Sequence, residues 1–511
     1  MNKMKIKRLL SVLVILATMV YTLAGCGSGK TNDSNAAEVT DSATNTTDAS
    51  KMYTIKMVYL VGGTEPKDLG LVQEEINKIT MEKIGAKFEF VPISMSQLSQ
   101  QYTLMISSGQ QLDVALCWPS FTSMQASGQL MPLDDLLNEY GTGIKDALGT
   151  DYLKACSVDG KVYSVASVHD LAKDMSIIMR KDIVDKYNID INSLNSLEDV
   201  DDVFATVKAG EPDMLMVNAN QQYSIVEGFQ EWDNLGGDNY GVLMNQGQDT
   251  TVVNLYETDF YKERLQLVRN WYLKGYINED WATSTLSGSQ LMQQGKLFAM
   301  LGASKPGLLQ QSINQCGGIE LVEKKLTKTF ATTSTANGVT WGIPVTCKNP
   351  EIAMQFMNLM WTDPDVINLL DWGIEGVHYV KTDIDNVIDY PEGVDQTNSG
   401  YCDNIGWAFG NQTLSYVWAG NDPDLYEQLK EFNTDAEKSL AMGFVPDYSN
   451  LKTQMTAIAN AYSQYGLALG NGSLDIDENY SKFIDALKLA GIDDVIKEKQ
   501  EQLDAYLEAN K

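Results

Sequence analysis

From Tyr53 to Trp118 the chain alternates short apolar runs with amphipathic ones, and this alternation restricts the fold more than any other feature. Tyr53 to Val61 is apolar and rich in β-branched residues, as a buried strand requires, and Gly62-Gly63-Thr64 breaks it. Leu69, Val72, Ile76 and Ile79 then recur at spacings of three and four, one stripe of a helix opened by Pro66. Lys87 to Pro92 reads as a second strand, a helix carrying Leu98, Tyr102 and Met105 follows, and Leu112 to Trp118 reads as a third. Strands joined through helices run parallel across such crossovers, so the pattern predicts an α/β domain of βαβ units. Further strands are expected over 160–168, 175–179 and 297–301, the last ending at Gly302. Helices are expected over 258–274, from Asn349-Pro350-Glu351, from Asp363-Pro364 to Gly373, and through the C-terminal part, where Asp493 caps the last.

Ahead of this region, Lys3, Lys5, Lys7 and Arg8 precede an apolar run from Leu9 to Val20. That run is too short for a membrane span and has the length of a signal-peptide core. It ends in Leu23-Ala24-Gly25-Cys26, which resembles the bacterial lipobox. The resemblance implies that residues 1–25 are cleaved and that Cys26 becomes a lipidated N-terminus on the extracellular face of the membrane. Gly, Ser, Thr, Asn, Asp and Ala dominate residues 26–51, which bury too little apolar surface to fold and are expected to form a flexible tether.

A net charge of −30 repels phosphate backbones and anionic headgroups, so no nucleic-acid partner is expected and the membrane link rests on the lipid alone. Beyond Cys26, Cys117, Cys156, Cys316, Cys347 and Cys402 lie far apart with no CxxC spacing, and His169 and His378 form no HExxH. Neither a disulfide framework nor a metal or other cofactor is expected. No later stretch reaches the roughly 18 apolar residues of a membrane span either, so any transport path is expected to belong to other proteins.

Taken in order, the segments SSGQQLDVALCW, GKVYSVAS, MRKDIVDKYNID, GKLFAMLGASKP and WGIPVTCKNPEIAMQFMNLMW resemble the family 1 extracellular solute-binding proteins of ABC importers, a maltose-binding-protein-like group. LLDWGIEGVHYV, FGNQ and ALKLAGIDDVIKEKQEQLDAYL resemble a Gram-positive lipoprotein subgroup of it with an extra C-terminal helical module. The resemblance implies a two-lobe α/β fold that closes by hinge motion on a ligand, and a monomer that hands its ligand to ABC permease subunits. It places lobe 1 at 52–118 plus 302–346, lobe 2 at 122–298 plus 350–440, and a helical module at 441–511 packed on lobe 2. The hinges then fall near Pro119, Gly302 and Thr346.

Sugars present flat C–H faces that stack on aromatic rings and hydroxyls that need polar partners when buried. Ligands in α/β sheets bind beyond the carboxyl ends of strands, which points to Gly63, Thr64 and Glu65, to Trp118 and Ser120 at the expected hinge, and to His169 and Asp170. Glu231 and Trp232 stand in a polar loop, Trp341 near the third crossing, and Trp372 at a helix end with Glu375 and His378 close by. Trp407, beside Asn404 and Gly406, completes the candidates. The reading is a non-enzymatic receptor for a small polar ligand, an oligosaccharide in the first instance. Peptide or other solute binding on the same fold, or a secreted glycoside hydrolase working through two carboxylates, are the alternatives.

Overall fold

The computed structural model describes residues 52–118, 120–402 and 404–510, so the basic start, the apolar run, Cys26, the polar stretch to Lys51 and the expected hinge at Pro119 lie outside the described residues. Strand Thr54–Val61 pairs in parallel with Lys87–Ser94 over eight residues, Thr54 opposite Lys87 through Val61 opposite Ser94. Helix Leu69–Ile84 makes the crossover and buries Leu69, Val72 and Ile76 of the expected stripe, while Ile79 is half-buried and Thr80 takes the fourth buried position. It starts three residues after Pro66 and stops at Gly85, whose φ of 63° lets the chain leave the helix. The third strand is short, Ala115–Leu116; it joins the first where Val58 N–H donates to Val114 O (3.1 Å) and pairs antiparallel with Thr340–Gly342, which also pairs with Val165–Ala166.

A second sheet is built on Asp174–Arg180, flanked antiparallel on both sides by Ala299–Ser304 and Leu321–Lys325. Gly302 is opposite Ser176 in the middle of that pairing, so it is not a hinge. Two large apolar cores follow the two sheets. The first gathers residues between 55 and 172 with residues between 331 and 442, and the second gathers residues between 175 and 326 with residues between 451 and 495. The lobe boundaries drawn from the sequence therefore shift. Residues 121–172 belong to the first core, and so does helix Pro350–Thr362, which packs Ala353, Phe356, Met357 and Met360 among helices Asp134–Tyr140, Thr142–Lys154 and Leu69–Ile84. Residues 302–326 belong to the second lobe because the sheet needs them as its flanks. Thr346 lies buried in the first lobe, its hydroxyl donating to Leu112 O (3.5 Å).

The chain crosses between the cores three times, and the crossings lie side by side. Lys173 and Phe330 exchange backbone bonds, each 2.9 Å, Phe330–Ala331 pairs in parallel with Glu437–Lys438, and Glu437 N–H donates to Thr329 O (3.0 Å). A narrow strap of hydrogen-bonded backbone joining two separate cores is the geometry of a hinge.

Helices Lys452–Gly470, Ile476–Leu489 and Ile492–Ala509 place Ile458, Leu469, Phe483, Leu487 and Val495 in the second core against helix Asp259–Leu273. The last helix is preceded by Gly491 at φ 94°, and Asp493 stands in its first turn rather than at its cap. Buried Lys499 on this helix meets Asp238 (3.0 Å) and Gly241 O (2.9 Å). Among the described cysteines, Cys117, Cys156, Cys316 and Cys347 are buried free thiols and Cys402 is half-buried.

Helix Lys452–Gly470 also covers Glu227, whose carboxylate accepts from the Tyr462 hydroxyl and whose Oε1 has no partner. Burial without a countercharge pushes this carboxyl up to about 7. A raised carboxyl stabilises the fold fully below the unfolded value and loses that contribution as pH rises through the folded one, so the loss runs from about pH 4.5 to pH 7. Glu227→Gln is therefore expected to gain stability over the parent on going from pH 5 to pH 8, by on the order of 3 kcal/mol. Urea midpoints of both proteins at the two pH values check this; a difference that does not vary with pH would contradict it.

Candidate functional site in the cleft between the cores

The two lobes face each other across a cavity of about 690 Å³, within the roughly 300–1,000 Å³ of small-molecule sites. The first lobe supplies an aromatic wall. Asp363 caps helix Pro364–Trp372, with its Oδ1 accepting from Asp365 N–H (3.0 Å), and the helix delivers Trp372 as its last residue before Gly373 turns the chain at φ 80°. The Trp372 Nε1–H donates to Tyr416 O (3.0 Å), which fixes the plane of the ring. Its ring centroid lies 5.2 Å from that of Trp418 at 42°, and Trp418 meets Tyr390 edge-on at 4.6 Å. Trp407 and Tyr426 continue the surface. The second lobe supplies polar groups from the segment Lys305–Gln315, among them Gln311 and Asn314.

Three charged groups sit in the cleft. Asp170, at the end of the first lobe's path to the hinge, accepts from Lys305 Nζ of the second lobe (2.6 Å) and meets His169 Nδ1 (3.1 Å). Burial alone would raise its carboxyl, but the His169 and Lys305 contacts outweigh it and hold the group at about 2. Asp371 has no such partner. Its Oδ2 accepts from the Ser415 hydroxyl, its Oδ1 is unpaired, and burial pushes it up to about 7. A second point of lobe contact lies at Gly307, before helix Leu308–Gln315. Its φ is 84°, and a Cβ there would stand 2.9 Å from Leu425 Cδ1 of the first lobe.

Of the residues singled out in the sequence, Asp170, Trp372, His378 and Trp407 line this cavity together. His378 is spent within the protein: its Nδ1 accepts from Ile374 N–H (2.9 Å), which leaves the ring proton on Nε2, facing Asp68 Oδ2 (3.2 Å). His169 stands behind Asp170, nine-tenths buried. The others are elsewhere. Trp232 is fully buried in the second core, with its Nε1–H on Asn239 Oδ1 (2.8 Å), and Trp341 is buried with its Nε1–H on Ala408 O (2.6 Å). Both are core residues, because each indole finds an internal acceptor that makes burial affordable. Glu231 is held by Arg264 (2.6 Å), and Glu375 is exposed and pairs with Lys381 (3.2 Å). Gly63, Thr64 and Glu65 are exposed on their turn, Trp118 packs half-buried on the first core, and Ser120 caps helix Phe121–Ala126; all five lie outside the cavity lining. Trp418, Tyr390, Tyr426, Asp371 and Lys305 also line the cavity and are not among the sequence candidates. Trp418 carried a signal, an indole just before the turn Ala419-Gly420-Asn421-Asp422-Pro423.

The arrangement opposes a cluster of aromatic rings to amide and charged groups across a hinge, which suits a ligand with apolar faces and many hydroxyls. Comparisons with known proteins agree. Residues 70–367 match the bacterial extracellular solute-binding proteins, and residues 440–508 match a domain of unknown function, DUF3502. A carbohydrate ABC transporter substrate-binding protein of Streptococcus pneumoniae is 28% identical over 96% of both chains. The polygalacturonan/rhamnogalacturonan-binding protein YtcQ of Bacillus subtilis is 23% identical over 73% of this chain and 74% of its own. The crystal structure of the N-glycan transport solute binding protein NgtS from Streptococcus pneumoniae superposes with a TM-score of 0.80 at 26% identity, covering 90% of this chain and 100% of that one. Against NgtS in complex with Man5GlcNAc the TM-score is 0.66, at 27% identity over 90% and 99%.

Proposed function

The chain belongs to the bacterial extracellular solute-binding protein family, and from that premise we propose that it binds an oligosaccharide in the interlobe cleft and delivers it to the membrane subunits of an ABC importer. The observation that carries this reading is the wall formed by Trp372, Trp418 and Tyr390 facing the polar segment Lys305–Gln315. The glycan complex of NgtS, similar in fold and in sequence, supports the ligand class. Lipid anchoring is supported by Leu23-Ala24-Gly25-Cys26 after a basic and apolar start. Among the described residues no helix is long and apolar enough to cross a membrane, so the transport path is assigned to partner subunits.

A hydrolase would use two carboxylates with separated protonation, and Asp170 and Asp371 differ in that way. Asp170, however, is tied through its Oδ1 to both His169 and Lys305, which makes it an ion-paired bridge between the lobes. Binding without cleavage is the reading favoured. Thermal unfolding against a panel of mono- and oligosaccharides, amino acids and short peptides tests it. A ligand at 100 times its dissociation constant stabilises by about 2.7 kcal/mol. Stabilisation by a glycan recovered intact is the expected result; stabilisation by peptides alone, or a cleaved glycan, would refute it.

Lobe approach carries its own prediction. Gly307→Val forces a branched side chain into a left-handed backbone and against Leu425, so it is expected to cost about 1–2 kcal/mol and to weaken glycan binding by roughly tenfold. Calorimetric titration of the variant checks it, and unchanged affinity would show that the lobes need not meet at this point.

A further inference from the structure

We propose that Asp371 sets the charge selectivity of the cleft, so that it admits uncharged glycans and rejects sugars bearing a carboxylate. This rests on the oligosaccharide reading and adds to it a residue and a ligand class. A buried carboxylate on a ligand needs charge-assisted donors, usually Arg or Lys. Among the described residues lining the cavity, Lys305 is the one Lys or Arg, and its ammonium is already on Asp170 at 2.6 Å. His378 has both ring nitrogens engaged, one by Ile374 N–H and the other against Asp68. The positive end of helix Leu308–Gln315 reaches the cavity, but Leu308 N–H donates to Lys305 O (3.2 Å) and the Leu425 side chain lies against Gly307.

Asp371 is the residue that turns this lack of cations into selection. It is 5% exposed, lines the cavity beside Trp372, and its Oδ1 has no hydrogen-bond partner. That oxygen is shut off from solvent and receives no donor, so the charge of the ionised carboxylate stands uncompensated in the cavity wall. A ligand carboxylate brings a second acceptor and a second negative charge beside it, both desolvated as the cleft closes. The chain as a whole carries a net charge of −30, which adds repulsion from a distance.

The test is a matched pair of probes, Man5GlcNAc and the same glycan after selective oxidation of its primary alcohols to carboxylates, titrated calorimetrically at pH 8 into the protein and into Asp371→Asn. In the parent protein the oxidised probe is expected to bind at least about tenfold more weakly than the neutral one. In Asp371→Asn, which keeps an acceptor and removes the charge, the ratio between the two affinities should narrow several-fold. A change in a ratio is not produced by a loss of folded protein, and the parent comparison stands whether or not the variant folds. Equal affinities in the parent overturn the exclusion while leaving the oligosaccharide reading intact. An unchanged ratio in a folded variant overturns the role of Asp371. Binding of neither probe or of the oxidised probe alone removes the proposal, and binding of neither counts against the oligosaccharide reading as well.

Discussion

Replacement of Trp372 by alanine is expected to weaken oligosaccharide binding roughly 30- to 150-fold while costing the fold no more than about 1–2 kcal/mol. The ring is half-buried at the cavity edge, pinned by its bond to Tyr416 O and backed by Trp418 at 5.2 Å, so it presents a fixed apolar face at little cost in entropy on binding. Its loss removes a stacking surface and leaves Trp418 without its neighbour. Trp372→Phe keeps a ring and loses only the indole N–H and some area, and an affinity between those of the parent and the alanine variant would assign the effect to stacking. If both variants bind glycan as the parent does, the aromatic wall is not the ligand surface.

Trp232→Ala should do the reverse. The indole is fully buried in the second core, edge-on to Phe260 at 6.2 Å, and bonded to Asn239. Removing a buried tryptophan costs about 3–5 kcal/mol, a large part of the about 5–15 kcal/mol that holds a typical domain together. The urea midpoint should fall steeply, while the protein that remains folded binds glycan with near-parental affinity because the ring does not reach the cleft. A variant of normal stability that has lost its ligand would return Trp232 to the site.

The two tryptophans look alike in the sequence, each in polar company. What separates them is the fate of that company. Glu231 and Asp233, which made the loop of Trp232 look exposed, are turned inward onto Arg264 (2.6 Å) and the Ser439 hydroxyl (2.6 Å), partners far along the chain. Local signals were legible where a few neighbouring atoms decide the outcome. Asn349 caps its helix by accepting from Ile352 N–H (3.2 Å), Thr258 caps by accepting from Tyr261 N–H (3.1 Å), and the first parallel pair forms where the period changes from strand to helix and back.

The division into lobes was not legible in the same way. Strand Asp174–Arg180 takes partners more than a hundred residues away on both edges, and those pairings carry residues 302–326 into the second lobe. Gly302 looked like a break because glycine usually is one; here its backbone bonds within the sheet and its missing side chain is of no consequence, since a Cβ there would meet nothing within 4 Å. Asp371 escaped notice because nothing in LLDWG distinguishes an acid that will be buried without a partner from one on a solvated helix face.

The central claim is that the cleft between the lobes holds an intact oligosaccharide. Calorimetric titration of the purified protein with Man5GlcNAc, followed by analysis of the recovered glycan, tests it most directly. The expected result is saturable binding of one glycan per chain, weakened roughly 30- to 150-fold in Trp372→Ala, with the glycan recovered unchanged. Binding that survives Trp372→Ala and Trp418→Ala together, or a glycan recovered as fragments, would contradict it.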